Sequence, residues 1–172
     1  MIEDFAHRLP LNQIRDGERI EIIADEAERG RIAERLGLRS LDRLDAHATL
    51  ERKGEIVRAR GRIKASLCQS CVVTGEPVDT HADEPFDIYF LSEPTARSSD
   101  EEVELVESDC DVVFHDGSAI DLGSAIADTL ALGLDPYPRS AGAQAVLKEA
   151  GVLSEEEAGP FAALAKLKRG DS

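Results

Sequence analysis

Over residues 44–67 apolar and polar positions alternate almost without a break. Successive side chains of a β-strand point to opposite faces, so strict alternation predicts half-buried strands. Leu44, Ala46, Ala48 and Leu50 fall on one face, opposite Asp45, His47, Thr49 and Glu51. After Lys53-Gly54, Val57, Ala59, Gly61, Ile63, Ala65 and Leu67 share one face. Arg58, Arg60, Arg62 and Lys64 share the other. A two-residue turn at Lys53-Gly54 predicts a hairpin that sets Leu50 against Val57, Ala48 against Ala59, Ala46 against Gly61 and Leu44 against Ile63. On the polar face Asp45 then meets Arg62, His47 meets Arg60 and Thr49 meets Arg58. A slip of one residue would oppose every apolar residue to a polar one. Lys-Gly is a weaker turn signal than Asn-Gly, which leaves room for a longer loop.

The same reading extends along the chain. Residues 5–11 suggest a short strand broken by Pro10, and 19–24 a second with Ile20 and Ile22 on one face. Asp25 suits a helix N-cap with Glu28 at the capping-box position. That helix runs to about Leu36, with Ile32, Ala33 and Leu36 inward and Gly37 just past its end. Beyond Val78 a polar turn leads to a strand over 85–91, with Phe86, Ile88 and Phe90 on one face. A short strand over 112–114 and an Asp116-Gly117 turn follow. Asp121 caps a helix through Leu122, Ile126, Leu130 and Leu134, which Pro136-Tyr137-Pro138 ends. Residues 143–150 read as a short helix, and Ser154 with Glu157 as another capping box. Past Pro160, the residues Phe161, Leu164 and Leu167 stand at helical spacing beside Lys166, Lys168 and Arg169, the pattern of an amphipathic docking tail. No internal repeat is present.

These elements predict an α+β fold: a twisted antiparallel β-sheet or partly closed barrel flanked by helices, with an acidic loop and a helical C-terminal tail. The expected organisation is one domain over residues 1–140, with the loop 92–111 inserted, and a loosely attached tail over 141–172.

Composition adds a sign. The chain has 172 residues, no Trp and a formal net charge of -15. The core must come from Leu, Ile, Val and Ala. The charge opposes nucleic-acid binding by the molecule as a whole and favours basic partners. Eight acids and one Arg lie in residues 92–111, which predicts a solvated, mobile loop. Met1-Ile2-Glu3-Asp4 lacks the features of a signal peptide, and no apolar run approaches membrane-spanning length. A cytoplasmic protein with reduced cysteines is expected.

Three features invite a chemical reading. Cys68-x2-Cys71 is half of a structural zinc site, which needs four ligands. His81, Cys110 and His115 supply no second paired spacing. A redox pair would place its first Cys at a helix N-terminus, and this one follows a strand. Small residues packed at a strand end are the favoured reading, with no metal and no cofactor. The stripe Arg58, Arg60, Arg62 and Lys64 is a candidate contact for RNA or a partner. It is also what a solvated strand face looks like, neutralised by Asp45 and Glu51 or by the 92–111 segment. No aromatics interleave with it, so base stacking is not indicated. Finally, there is no phosphate-binding glycine loop, no Gly-x-Ser-x-Gly elbow and no metal spacing among His7, His47, His81 and His115. No catalytic residue is expected and the chain does not read as an enzyme.

Taken together, Ala24-Asp25 with Glu28-Arg29, Gly61-x3-Ala65, the Cys68-x2-Cys71 pair, Val72-Val73-Thr74 with Glu76-Pro77, and Glu84-Pro85-Phe86 form a recognisable set. Ile120-Asp121-Leu122-Gly123, Asp135-Pro136-Tyr137-Pro138-Arg139 and Pro160-Phe161-Ala162-Ala163-Leu164 complete it. The chain resembles, over nearly its whole length, the YceD family of bacterial and plastid proteins. The resemblance implies a link to accumulation of large-subunit ribosomal RNA and hence to ribosome assembly. It implies a large-subunit precursor, a basic ribosomal protein or rRNA as partner, and Cys68, Cys71, Asp121, Leu122 and Gly123 as family motif residues of structural role. Many members carry a second cysteine cluster after the last core helix, consistent with zinc. Here that region reads Arg139-Ser140-Ala141-Gly142, without Cys. The rival expectation is an adaptor that binds a basic protein and has no ribosomal RNA role.

Overall fold

In a computed structural model, which describes residues 5–93 and 111–152, the hairpin is the centre of a five-stranded sheet. β1 (Arg8–Pro10) and β2 (Glu18–Ile23) precede helix α1 (Glu26–Leu36). β3 (Ser40–Lys53), β4 (Ile56–Ser70) and β5 (Pro77–Ser92) are the long strands. β6 (Asp111–His115) and β7 (Ala119–Asp121) lead into α2 (Leu122–Gly133), and α3 (Ala143–Glu149) follows. The sheet order is β2-β3-β4-β5-β6, while β1 and β7 make a separate antiparallel pair.

The expected antiparallel sheet or partly closed barrel is corrected in two ways. The sheet is open, with β2 and β6 at its two ends. It is also mixed, because β6 runs parallel to β5, pairing Ile88 with Asp111 through Ser92 with His115. A parallel pair needs a crossover of a dozen or more residues, and residues 93–110 are long enough to supply it.

The hairpin register differs from the expected one by two residues. Leu50 pairs with Ala59, Ala48 with Gly61, Ala46 with Ile63 and Leu44 with Ala65. A shift of two preserves which face each side chain takes, so the apolar rows still coincide. The turn is Gly54-Glu55, with Gly54 at φ 63 and, among the described residues, no non-glycine residue at positive φ. A turn centred on Lys53-Gly54 would want a left-handed Lys53. Moving Gly54 to the first central position, as in a type II′ turn, avoids that strain. A bulge at Asp42 sits between the Leu41 and Arg43 pairings.

β5 is longer than expected and begins at Pro77, so the supposed polar turn after Val78 is strand. Val78, Thr80, Ala82 and Glu84 continue inward the row of Phe86, Ile88 and Phe90, and all four are half-buried. Two of those four are polar, which hid the alternation. Pro85 is tolerated because β6 pairs only from Ile88 onward.

Helix α1 forms as its sequence demands. The Asp25 carboxylate accepts from the Glu28 N–H at 2.8 Å, and the Glu28 carboxylate accepts from the Asp25 N–H at 2.8 Å. Gly37 ends the helix at φ 65. Ile32 and Ala33 are buried and Leu36 is half-buried in the core with Leu44, Leu50, Val57, Ile63, Phe90, Ile126 and Leu130. Gly61 has a steric duty, because a Cβ there would overlap the His47 carbonyl oxygen on the paired strand. His115 anchors the end of β6: Gly117 N–H donates to its Nδ1 at 3.0 Å, so its proton sits on Nε2, which donates to the Glu55 carbonyl at 2.8 Å.

The described residues divide into two compact units. Residues 5–69, 79–93 and 111–136 form the larger, which holds the core above. Residues 70–78 and 137–152 form the smaller, which includes α3. Among the described residues no helix is long and apolar enough to cross a membrane. Most of the acidic 92–111 segment, the Ser154 capping box and the tail with Phe161, Leu164 and Leu167 lie outside the described residues.

Candidate functional site

The basic stripe stands on β4, one residue in two, with Val57, Ala59, Gly61 and Ile63 turned to the opposite face. Glu51 is opposite Arg58, Thr49 opposite Arg60, His47 opposite Arg62 and Asp45 opposite Lys64. Each arginine is matched to a carboxylate. Arg58 donates Nε–H to Asp87 Oδ1 at 2.8 Å and Nη2–H to Oδ2 at 2.6 Å, a two-pronged pair, and its guanidinium lies 4.9 Å from the centre of the Tyr89 ring. Arg60 is bonded to Glu51, and Arg62 donates to Asp83 Oδ1 at 2.8 Å. The expected neutraliser Glu51 is there. Asp45 instead receives Arg43, so it is spoken for on its own strand. Lys64 is exposed and has no ion pair among the described residues.

Two of these carboxylates, Asp83 and Asp87, sit on β5 and escaped the sequence reading. Their signal was present: Asp79, His81, Asp83, Pro85 and Asp87 occupy every second position. It was masked because the stretch before Pro85 reads as turn. The result is a ladder of alternating charge across β3, β4 and β5. Arg58 and Asp87 are its most sheltered pair, with side chains 21% and 29% exposed. Arg60 and Arg62 are half exposed, where water and salt weaken an ion pair.

Asp121, Leu122 and Gly123 are placed together at the start of α2. Asp121 caps the helix by accepting from the Ser124 N–H at 3.0 Å, and it accepts from the His7 N–H at 3.4 Å. The Leu122 N–H donates to the His7 carbonyl at 3.1 Å, and the Leu122 side chain is fully buried. A Cβ on Gly123 would overlap the Phe5 carbonyl oxygen and come within 2.8 Å of the His7 nitrogen. The three residues splice residues 5–7 onto the helix, which is structural work.

The cysteine motif straddles the end of β4. Cys68 is buried, and its Sγ lies 3.6 Å from the Gln69 carbonyl, toward which the thiol proton points. Cys71 opens a turn in the smaller unit. Its N–H donates to the Glu76 carbonyl at 2.8 Å, and Gly75 N–H donates back to the Cys71 carbonyl at 2.9 Å. Gly75 takes φ 73 to allow it. The Cys71 Sγ accepts from the Thr74 N–H at 3.4 Å. Ser140 Oγ donates to Glu76 Oε2 at 2.7 Å, Thr74 Oγ1 donates to the same oxygen at 3.1 Å, and the two hydroxyls lie 3.2 Å apart. Burial pushes the Cys71 thiol up, but the donors at Ser140 and Thr74, their N–H groups among them, outweigh it and lower it to about 6, while the one Ser140 hydroxyl proton goes to Glu76. The Ser140 hydroxyl, and after it Thr74, holds the Glu76 carboxyl below its usual range.

This donor set does not fit zinc. Among the described residues no three His, Cys, Asp or Glu side chains converge where a metal ion would sit. The groups aimed at Cys71 carry protons, and the Cys68 thiol points its own at a carbonyl.

Residues 59–168 match the model of a family described as large ribosomal RNA subunit accumulation protein YceD. No curated protein and no solved structure matches the chain.

Proposed function

The chain belongs to the YceD family, and on that premise we propose that it is a non-enzymatic cytoplasmic factor supporting large-subunit rRNA accumulation and ribosome assembly through a basic ribosomal protein. One observation favours a protein over direct rRNA contact. The arginines that an RNA phosphate would have to engage are already held by carboxylates, Arg58 by Asp87, Arg60 by Glu51 and Arg62 by Asp83. Phosphate binding releases counterions only where Lys and Arg are free to neutralise it. With the ladder closed on itself, the net charge of -15 remains to attract a partner, and that partner is basic.

Affinity purification of the full chain from cells, with and without ribonuclease, tests this reading. A basic large-subunit protein retained after ribonuclease, together with reduced large-subunit rRNA in cells lacking the chain, is the expected result. Loss of all captured material on ribonuclease treatment would move the contact to rRNA, with Lys64 as the first candidate. Capture of a basic protein with rRNA levels unchanged would leave the adaptor reading, in which the chain binds a basic protein and has no ribosomal RNA role.

A further inference from the structure

The Cys68-x2-Cys71 motif is left unused by the proposed function, and the groups around Cys71 are hydrogen-bond donors. We propose that the turn Ser70–Val78 is closed onto residues 137–142 by a metal-free polar clamp, with Cys71 Sγ and the Glu76 carboxylate as acceptors and Ser140 and Thr74 as donors, in the structural place a zinc ion holds in a four-ligand knuckle.

The chemistry of a zinc site runs one way: four electron pairs converge on a cation, and each ligand gives up its proton. Here the polarity is reversed. Anionic acceptors sit at the centre and O–H and N–H groups converge on them. Ser140 is the group that reaches across from the far segment, and its hydroxyl serves Glu76 at 2.7 Å. The Cys68 Sγ lies 3.6 Å from the Gln69 carbonyl, the place of a thiol donor. A backbone bond completes the closure, from the Val72 N–H to the Pro138 carbonyl at 2.9 Å. The low value of the Cys71 thiol agrees with this picture, because a thiolate is the stronger acceptor of charge-assisted bonds.

Ser140 is therefore the residue on which the clamp turns, and it acts by positioning the turn. The test uses the full chain purified without chelator. Metal content is measured, and amide hydrogen exchange is followed at Val72 and Thr74 in the smaller unit and at Ala59 and Ile63 in the sheet. Expected are zinc well below one per chain and exchange unchanged by a chelator. In Ser140→Ala, exchange at Val72 and Thr74 should accelerate about tenfold while the sheet amides hold, the signature of local opening. Ser140→Thr, which keeps the hydroxyl, should restore it. One zinc per chain, chelator-induced opening of the turn, or Ser140→Ala with Val72 and Thr74 still protected would each overturn the proposal. If Ser140→Ala also loosens the sheet, Thr74→Val takes its place with the same expected and overturning readouts, and the chelator result stands by itself.

Discussion

Arg58, Arg60 and Arg62 are each met by a carboxylate on a neighbouring strand, whereas Cys71 and Glu76 are met by hydroxyls and N–H groups. Both are polar networks on a chain with few aromatics, and they do different work. In the ladder, opposite charges cancel on a face that water still reaches. Such pairs contribute about 0–1 kcal/mol each, so the ladder sets the character of the surface more than its stability. In the turn, neutral donors stabilise anions, so the strength of the network depends on the protonation state of the acceptor. One network should respond to salt and the other to pH.

The harshest way to break the comparison is to remove the frame beneath the ladder. Gly61→Val puts a branched side chain against the His47 carbonyl and should destabilise the chain by about 3 kcal/mol, read from urea unfolding. A stability loss below about 1 kcal/mol would show that β3 and β4 part easily at this point.

The turn is separated from the ladder by its pH response. The folded-state thiol value of Cys71, about 6, lies below the ordinary value of 9.0. A depressed acid contributes stability that is fully present above about 9 and is lost as pH falls toward about 6. Unfolding free energy of the native chain minus that of Cys71→Ser should therefore rise between these limits. A flat difference would remove the thiolate from the clamp.

Within the ladder the expected effects are smaller and graded by shelter. Arg58→Ala loses a two-pronged pair and the contact with Tyr89, and should cost about 1 kcal/mol. A double-mutant cycle with Asp87→Ala should recover a coupling of that sign. Arg60→Ala and Arg62→Ala, on half-exposed pairs, should each cost at most about 0.5 kcal/mol and vanish into error in high salt. Equal losses at all three positions would erase the distinction between sheltered and exposed rungs.

The amino-acid order by itself determined the local events. The alternation over 44–67 set which side chains face inward, and Ile63, Val57 and Leu50 are fully buried as that pattern requires. Asp25, Glu28 and Gly37 bounded α1 because capping bonds span three residues, and Asp121 capped α2 for the same reason. Tertiary structure decided the rest. Strand register repeats every two residues, so periodicity could not tell the Lys53-Gly54 turn from the Gly54-Glu55 turn, and backbone strain chose. The parallel placement of β6 depends on a long crossover, to which periodicity within a strand is blind. The ladder needed β5 beside β4 before Asp83 and Asp87 could meet Arg62 and Arg58. Thr74 and Ser140 stand 66 residues apart in the chain and 3.2 Å apart in the fold. Spacing along the sequence carries no record of such a contact, because it exists only once chain closure brings the two segments together.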